Sequence, residues 1–261
     1  MKKILLSLSV LAFFSADAQL KEGKVIYERT MQLRVNVNSE VAHLVPPQRT
    51  DNFELLFGNN QSIWRVIPNA EGDNSTVSGP GFMMRMAGND DVIYYNFEKA
   101  QRIDQRDLFD REFLVEDSIS KLKWKLTEEN KSILNFNATK AVAERIGSRS
   151  VMTMENGEMK RQQVADTSYI TAWFTSEVPV PAGPSEFQGQ LPGLILELNV
   201  NNGRTVYKAV EVSPKVNVAS IKEPKGGKRL TAQEFNKERD KLMEEMRKNN
   251  PGGNRSIRIV Q

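Results

Sequence analysis

Apolar and polar residues alternate with a period of two along much of this chain. The longest stretch is Lys24–Asn38, where Val25, Tyr27, Met31, Leu33, Val35 and Val37 share a face broken only by Arg29. Ile26, Glu28, Thr30, Gln32, Arg34 and Asn36 take the other face. The pattern predicts a half-buried strand of roughly 45 Å at ~3.3 Å per residue. A strand of that length must twist or curl.

Shorter strands follow, several punctuated by hairpin turns. Asn52–Phe57 and Ser62–Ile67 flank Gly58-Asn59-Asn60. Val151–Glu155 and Met159–Val164 flank Asn156-Gly157, and Leu194–Val200 and Thr205–Val212 flank Asn202-Gly203. Asn and Gly accept the left-handed backbone that tight hairpins need. Val92–Phe97, Phe113–Val115, Lys121–Leu126 and Tyr169–Thr175 read as further strands, with Leu122, Trp124 and Leu126 turned inward. Ile133–Ala143 fits either a strand or a short helix capped by Asn137, and Asn69–Asp91, polar and Gly-rich, reads as a long loop. The fold expected is β-dominated: a large curved antiparallel sheet, half-barrel or sandwich-like, with a C-terminal helix.

The helix announces itself chemically. Thr231 and Glu234 form a capping box, and Leu230 and Phe235 stand at the positions of a hydrophobic staple. Phe235, Leu242, Met243 and Met246 make a narrow apolar stripe, and Asn249-Asn250-Pro251-Gly252-Gly253 stops the helix. The chain therefore divides into a signal peptide (1–18), a β domain (19–221), a basic linker (222–229), an amphipathic helix (230–249) and a flexible tail (250–261).

The signal has three parts: Lys2 and Lys3, an apolar run Ile4–Phe14, and Ala16-Asp17-Ala18 as the small-residue cleavage site. The run falls short of the ~20 residues that span a bilayer, and no later segment is apolar enough to do so. The protein is thus expected to be exported, with Gln19 as its first mature residue. The chain has no Cys, which excludes disulfides, thiolate metal sites and lipid attachment through cysteine. Its net charge of +3 becomes +2 when Lys2, Lys3 and Asp17 leave, so nothing electrostatic favours nucleic acid.

One stretch stands apart. In Ala172–Leu198, an aromatic pair precedes a proline-spaced run, a Gly183-Pro184 turn and a Pro192-Gly193 turn that feeds an apolar strand. Pro179 and Pro181 hold Val178 and Val180 extended. Pro192-Gly193 fits the central positions of a type II turn, where Gly takes positive φ. This predicts an ordered loop that crosses the mouth of the sheet and fastens its last hairpin. Trp173, Pro179, Gly183, Pro184, Leu191, Pro192, Gly193 and Leu194 are its candidate residues, as structural loop or ligand contact. Tyr27, Trp64 and Trp124 are the aromatic candidates beside it.

Leu191-Pro-Gly-Leu-Ile195, Ala172-Trp-Phe-Thr175, Val178-Pro179 and Gly183-Pro184 resemble the core of the GLPGLI family of bacterial envelope proteins. Val92–Phe97, Leu108–Asp117, Leu122–Leu126 and Lys140-Ala141 resemble its middle, so the likeness runs from about Val25 to Pro214. Gln190 stands where the motif has its first Gly, and Asn137 where many relatives carry Cys. The resemblance implies an exported protein of Bacteroidota-type bacteria, in the periplasm, at the outer membrane or outside the cell. It implies no activity, cofactor or catalytic residue.

Chemistry beyond that is sparse. His43 is the single histidine and has no Gly-x-Ser-x-Gly elbow to serve. Met83, Met84 and Met86, with Met152, Met154 and Met159, lack the His or Cys that would make a metal site, and no metal or cofactor is expected. Asp104, Asp107, Asp110, Glu112, Glu116 and Asp117 are dense but interleaved with Arg102, Arg106 and Arg111. The reading is a non-catalytic envelope protein that binds a hydrophobic ligand on a concave face or presents a surface to a protein partner. The alternatives are a hydrolase built on the acidic 104–117 stretch and a scaffold that docks to an outer-membrane machine through its tail helix.

Overall fold

The computed structural model describes residues 19–32, 47–68, 76–79, 82–85, 91–109, 111–155 and 158–249. The signal segment, His43, Met86, Asp110, the Asn156-Gly157 turn and the tail from residue 250 lie outside them, as does the expected continuation of the first strand beyond Gln32.

Twelve strands form one open sheet in the order β14-β8-β7-β6-β3-β2-β1-β13-β12-β11-β10-β9. They are β1 (Gly23–Gln32), β2 (Gln48–Gly58), β3 (Gln61–Val66), β6 (Val92–Asn96), β7 (Gln101–Leu108), β8 (Arg111–Ser118), β9 (Lys125–Ile133), β10 (Phe136–Glu155), β11 (Glu158–Thr175), β12 (Leu194–Val200), β13 (Thr205–Ser213) and β14 (Lys228–Thr231). The long loop expected at 69–91 instead contains a separate two-stranded sheet, β4 (Thr76–Gly79) against β5 (Phe82–Arg85). One helix, α1 (Ala232–Asn249), follows β14.

Local chemistry explains the hairpins. Asn59 and Asn60 adopt φ of 51° and 58° between β2 and β3, and Asn201 and Asn202 adopt 53° and 52° between β12 and β13. Asn and Gly tolerate that region at least cost. Ile133–Ala143 resolves without a helix: Ile133 ends β9, Leu134 and Asn135 turn with φ of 50° and 67°, and Phe136–Val142 pairs with β9 while β10 pairs with β11 on its other side. The pairing is antiparallel except at one edge, where β14 runs parallel to β8.

The sheet curls around one face. Trp64 on β3 and Tyr207 on β13 stand three strands apart, about 14 Å on a flat sheet, yet their ring centroids are 6.0 Å apart. Phe53 stacks on Trp64 at 4.8 Å, and Tyr27 lies 5.4 Å from it. Val25, Leu55, Phe57, Tyr95, Ala172 and Leu198 complete the buried inner layer. Arg29, the one polar residue in the apolar face of β1, lies 4.6 Å over the Phe53 ring. Asp51 receives it at 2.7 Å and also receives Arg49 at 2.7 Å.

The tail departs from expectation. The segment 222–229, read as a flexible linker, already contributes Lys228 and Arg229 to β14, paired with Phe113 and Leu114. Thr231 and Glu234 make the capping box, with Glu234 N–H on Thr231 Oγ1 at 3.3 Å and Thr231 N–H on Glu234 Oε2 at 2.9 Å. Two residues of the helix stripe are buried inside the molecule: Phe235 and Leu242 pack on Leu108, Phe113 and Val115. Phe113 meets Phe235 edge-on at 5.5 Å. The helix is thus packed against the side chains of β8, whose edge β14 covers.

Asp51 carries the prediction of this section. Burial raises its pKa, but the Arg29 and Arg49 guanidiniums outweigh burial and hold it below the usual carboxylate value. A depressed folded pKa gives stability that is present above the unfolded value near 4 and drains away as pH falls through the folded one. Asp51→Asn should lose about 3 kcal/mol at neutral pH. In urea melts the gap from wild type should narrow below about pH 4.

Candidate functional site

β11 ends at Thr175, and the chain then crosses the inner face before β12 begins at Leu194. Val178, Val180, Ala182, Phe187 and Leu191 bury their side chains there, while Pro179 and Pro192 face outward. The backbone is tied down along its length. Leu194 N–H donates to Val178 O at 3.1 Å, Ile195 N–H to Ala182 O at 3.0 Å, and Gly189 N–H to Pro181 O at 2.7 Å. A short 3-10 turn, Ser185–Phe187, carries Phe187 into the core.

Two fully buried polar side chains fasten the loop to the sheet. Ser62 Oγ on β3 donates to Gln188 Oε1 at 2.5 Å, and Gln188 Nε2 donates to Ser185 O at 3.3 Å. Tyr27 Oη donates to Ile195 O at 2.5 Å, and burial raises the Tyr27 pKa far above its ordinary range. Gly193 does not have positive φ, so the expected type II turn is not what requires glycine there. A Cβ at Gly193 would lie 2.1 Å from Thr175 O: the end of β11 passes directly against it. At Gly183 the obstacle is Ile195, with Cδ1 at 2.9 Å. The one loop glycine with positive φ is Gly189, at 72°.

Gln190, in the place of the motif's first Gly, works as a clamp. Its Oε1 accepts Leu122 N–H at 3.0 Å and Trp124 Nε1–H at 3.3 Å, and its Nε2 donates to Ser120 O at 2.6 Å. This corrects the expected strand Lys121–Leu126. The backbone of 120–124 hydrogen-bonds to the loop, β9 starts only at Lys125, and Leu126 points outward, 55% exposed.

The aromatic candidates separate into two groups. Tyr27 and Trp64 are core, and Trp124 edges it. Trp173 turns to the opposite face, where Lys131 Nζ lies 4.3 Å and Lys140 Nζ 6.0 Å from the ring centroid. Pro179, Gly183, Pro184, Leu191, Pro192, Gly193 and Leu194 all belong to the seal over the inner face. Two of the acidic candidates are held by arginines. Asp104 lies 2.6 Å from both Arg102 and Arg106, and Glu116 accepts Gln101 at 2.5 Å and Arg229 at 2.9 Å. Among the described residues no group of three or more His, Cys, Asp or Glu could hold a metal ion.

Beside the loop lies a cleft of about 140 Å³ between Glu186, Phe187 and Gln190 on one side and residues 117–122 on the other. Tyr95, Arg102 and Arg145 complete its lining. Sequence reasoning named Arg102 only as a partner of the acidic stretch and did not single out Tyr95 or Arg145. They come from β6, β7 and β10, and no local spacing connects them.

The geometry defines an open curled β sheet sealed on its inner face by its own loop. Residues 124–197, which contain that loop, match the family described as "Protein of unknown function (Porph_ging)". No curated protein matches the chain. Among solved structures, two crystal forms of PNGF-II resemble it over 85% and 83% of its length, at 18% and 17% identity and a TM-score of 0.51 each. The chain spans about a third of theirs, 34% and 32%, so the likeness is one of fold. LprF from Mycobacterium bovis matches at 9% identity over 80% of this chain and 92% of its own, with a TM-score of 0.28 that supports no argument.

Gly193→Ala should cost about 3 kcal/mol, because the new Cβ meets backbone. Gly147→Ala, with nothing within 4 Å of the added carbon, should stay within about 0.5 kcal/mol. Gln190→Ala should cost about 1–2 kcal/mol and expose Trp124. Chemical melts with tryptophan fluorescence measure all three.

Proposed function

We propose that this is an exported, non-catalytic protein of the cell envelope that engages a protein partner. On this reading it does not carry a lipid or acyl chain within its sheet. The observation that carries the reading is the filling of the inner face: Val178, Val180, Ala182, Phe187 and Leu191 occupy the place where an apolar ligand would lie. The likeness of Leu191–Ile195 to the GLPGLI signature, and the export signal at 1–18, support the envelope assignment. The pairing of Asp104 with Arg102 and Arg106 supports a structural role for that carboxylate.

The β10–β11 ribbon is the surface we assign to that partner. β9 pairs with β10 only as far as Val142, and β12 pairs with β11 only from Ile170 to Thr175. Beyond Glu144 and Ser168, β10 and β11 pair only with each other among the described strands. They form a two-stranded ribbon on the order of 35 Å long at ~3.3 Å per residue. Ile146 on it is 82% exposed and Tyr169 at its base 56% exposed. Unpaired ribbon edges accept an extended segment by strand addition, and a lone hairpin is stabilised by such cover.

Photo-crosslinkers at Ile146 and Tyr169, in protein kept in its native envelope, should give one discrete adduct that a crosslinker at Lys215 does not give. Replacing residues 147–166 by an Asn-Gly turn should abolish that adduct while leaving the melting temperature within a few degrees. An acyl chain retained in native mass spectrometry of the purified protein would overturn the reading.

A further inference from the structure

The first residues of the β domain are held unevenly. Gln19 is exposed, whereas Leu20 packs against the main core. Lys21 and Glu22 are exposed again, and from Gly23 the chain is β1, paired with β2 and β13. A single residue therefore separates the expected cleavage point, after Ala18, from a side chain of the core.

Cleavage at that point changes the chemistry of Gln19. Within the uncut chain its backbone nitrogen is an amide and does not attack carbonyls. Cleavage frees it as an α-amine, with an ordinary pKa of about 8, so a share of it is unprotonated at neutral pH. That nitrogen and the residue's own side-chain carbonyl carbon can close a five-membered ring. Closure within one residue has the advantage of an intramolecular reaction. The nitrogen attacks Cδ, the N–Cδ bond forms, the Cδ–Nε2 bond breaks, and Nε2 leaves as ammonia with the hydrogen that the amine gives up. No oxidant, reductant or second substrate takes part. The exposure of Gln19 leaves its side chain room to fold back on the amine.

The product suits this end of the fold. A free amine at Gln19 is open to aminopeptidases, and loss of that one residue would put the terminal ammonium on Leu20, against the core. Holding a charge among apolar side chains costs free energy. The lactam is neutral and presents no amine, so it keeps the charge away from Leu20 and the terminus closed to trimming. We infer that Gln19 is a modification site: it cyclises to pyroglutamate once the signal is removed, and the ring protects the Leu20 anchor. The inference rests on the export reading and is independent of the β10–β11 ribbon.

The test is the intact mass of the protein isolated from the envelope of its native host. The mass expected is that of residues 19–261 less one ammonia. Edman degradation should give no residue until pyroglutamyl aminopeptidase has acted, and should then start at Leu20. A mass equal to that of residues 19–261 overturns the cyclisation and leaves the export reading standing. A mature chain starting at a residue other than 19 also overturns the inference alone, whereas a chain that retains residues 1–18 overturns both. The protective role is tested with mature Gln19→Ala, whose first residue cannot cyclise. A broad-specificity aminopeptidase should trim this variant at least tenfold faster than wild type, and its melting temperature should fall by a few degrees as Leu20 is lost. Equal trimming of the two proteins would overturn the protection.

Discussion

A single β layer has two faces, and an apolar one must be covered. Here the cover is the segment between two consecutive strands of the same sheet. Residues 176–193 leave β11, cross the concave side and return as β12, so the core lies between a curled sheet and its own connection. The arrangement depends on a close approach: Gly193 lies against the carbonyl of Thr175, where no side chain fits. That contact sets how tightly the loop returns, and hence whether Leu194, Ile195 and Leu196 enter β12 in register.

An irregular segment in a core brings polar backbone with it, and each group needs a partner. The loop meets this need partly through itself and partly through side chains delivered by distant strands. Gln188 is wholly buried because Ser62 and Ser185 satisfy it. Gln190 takes the polar groups of 120–124, and Tyr27 reaches across to Ile195. The same logic places Arg29 in an apolar face, since Asp51 stands opposite and Phe53 lies beneath.

The two ends of the sheet are finished differently. At the β8 end, β14 and α1 cover the edge, with Phe235 and Leu242 closing a small second core. Toward the other end, β10 and β11 run on past their neighbours as a bare ribbon. Strand edges left open invite pairing, and proteins usually blunt them.

Much of this could be read from residues in order. Period-two alternation marked β1, the Asn-rich turns marked the β2–β3 and β12–β13 hairpins, and Thr231 with Glu234 marked the start of α1. Each of these is a local property, decided within a few residues by backbone sterics or by one capping bond. Strand β7 escaped notice because most of its residues are charged or polar, and the β4–β5 pair because each strand is only four residues long. Residues 120–124 left the expected strand because Gln190 binds them, and Gly193 proved essential for space rather than for its φ because Thr175 lies against it. The cleft lined by Tyr95, Arg102 and Arg145 belongs to the same class. Local sequence determined the strands, turns and cap; the curl of the sheet decided which distant side chains meet, since contact between strands far apart in order exists only once the layer has bent.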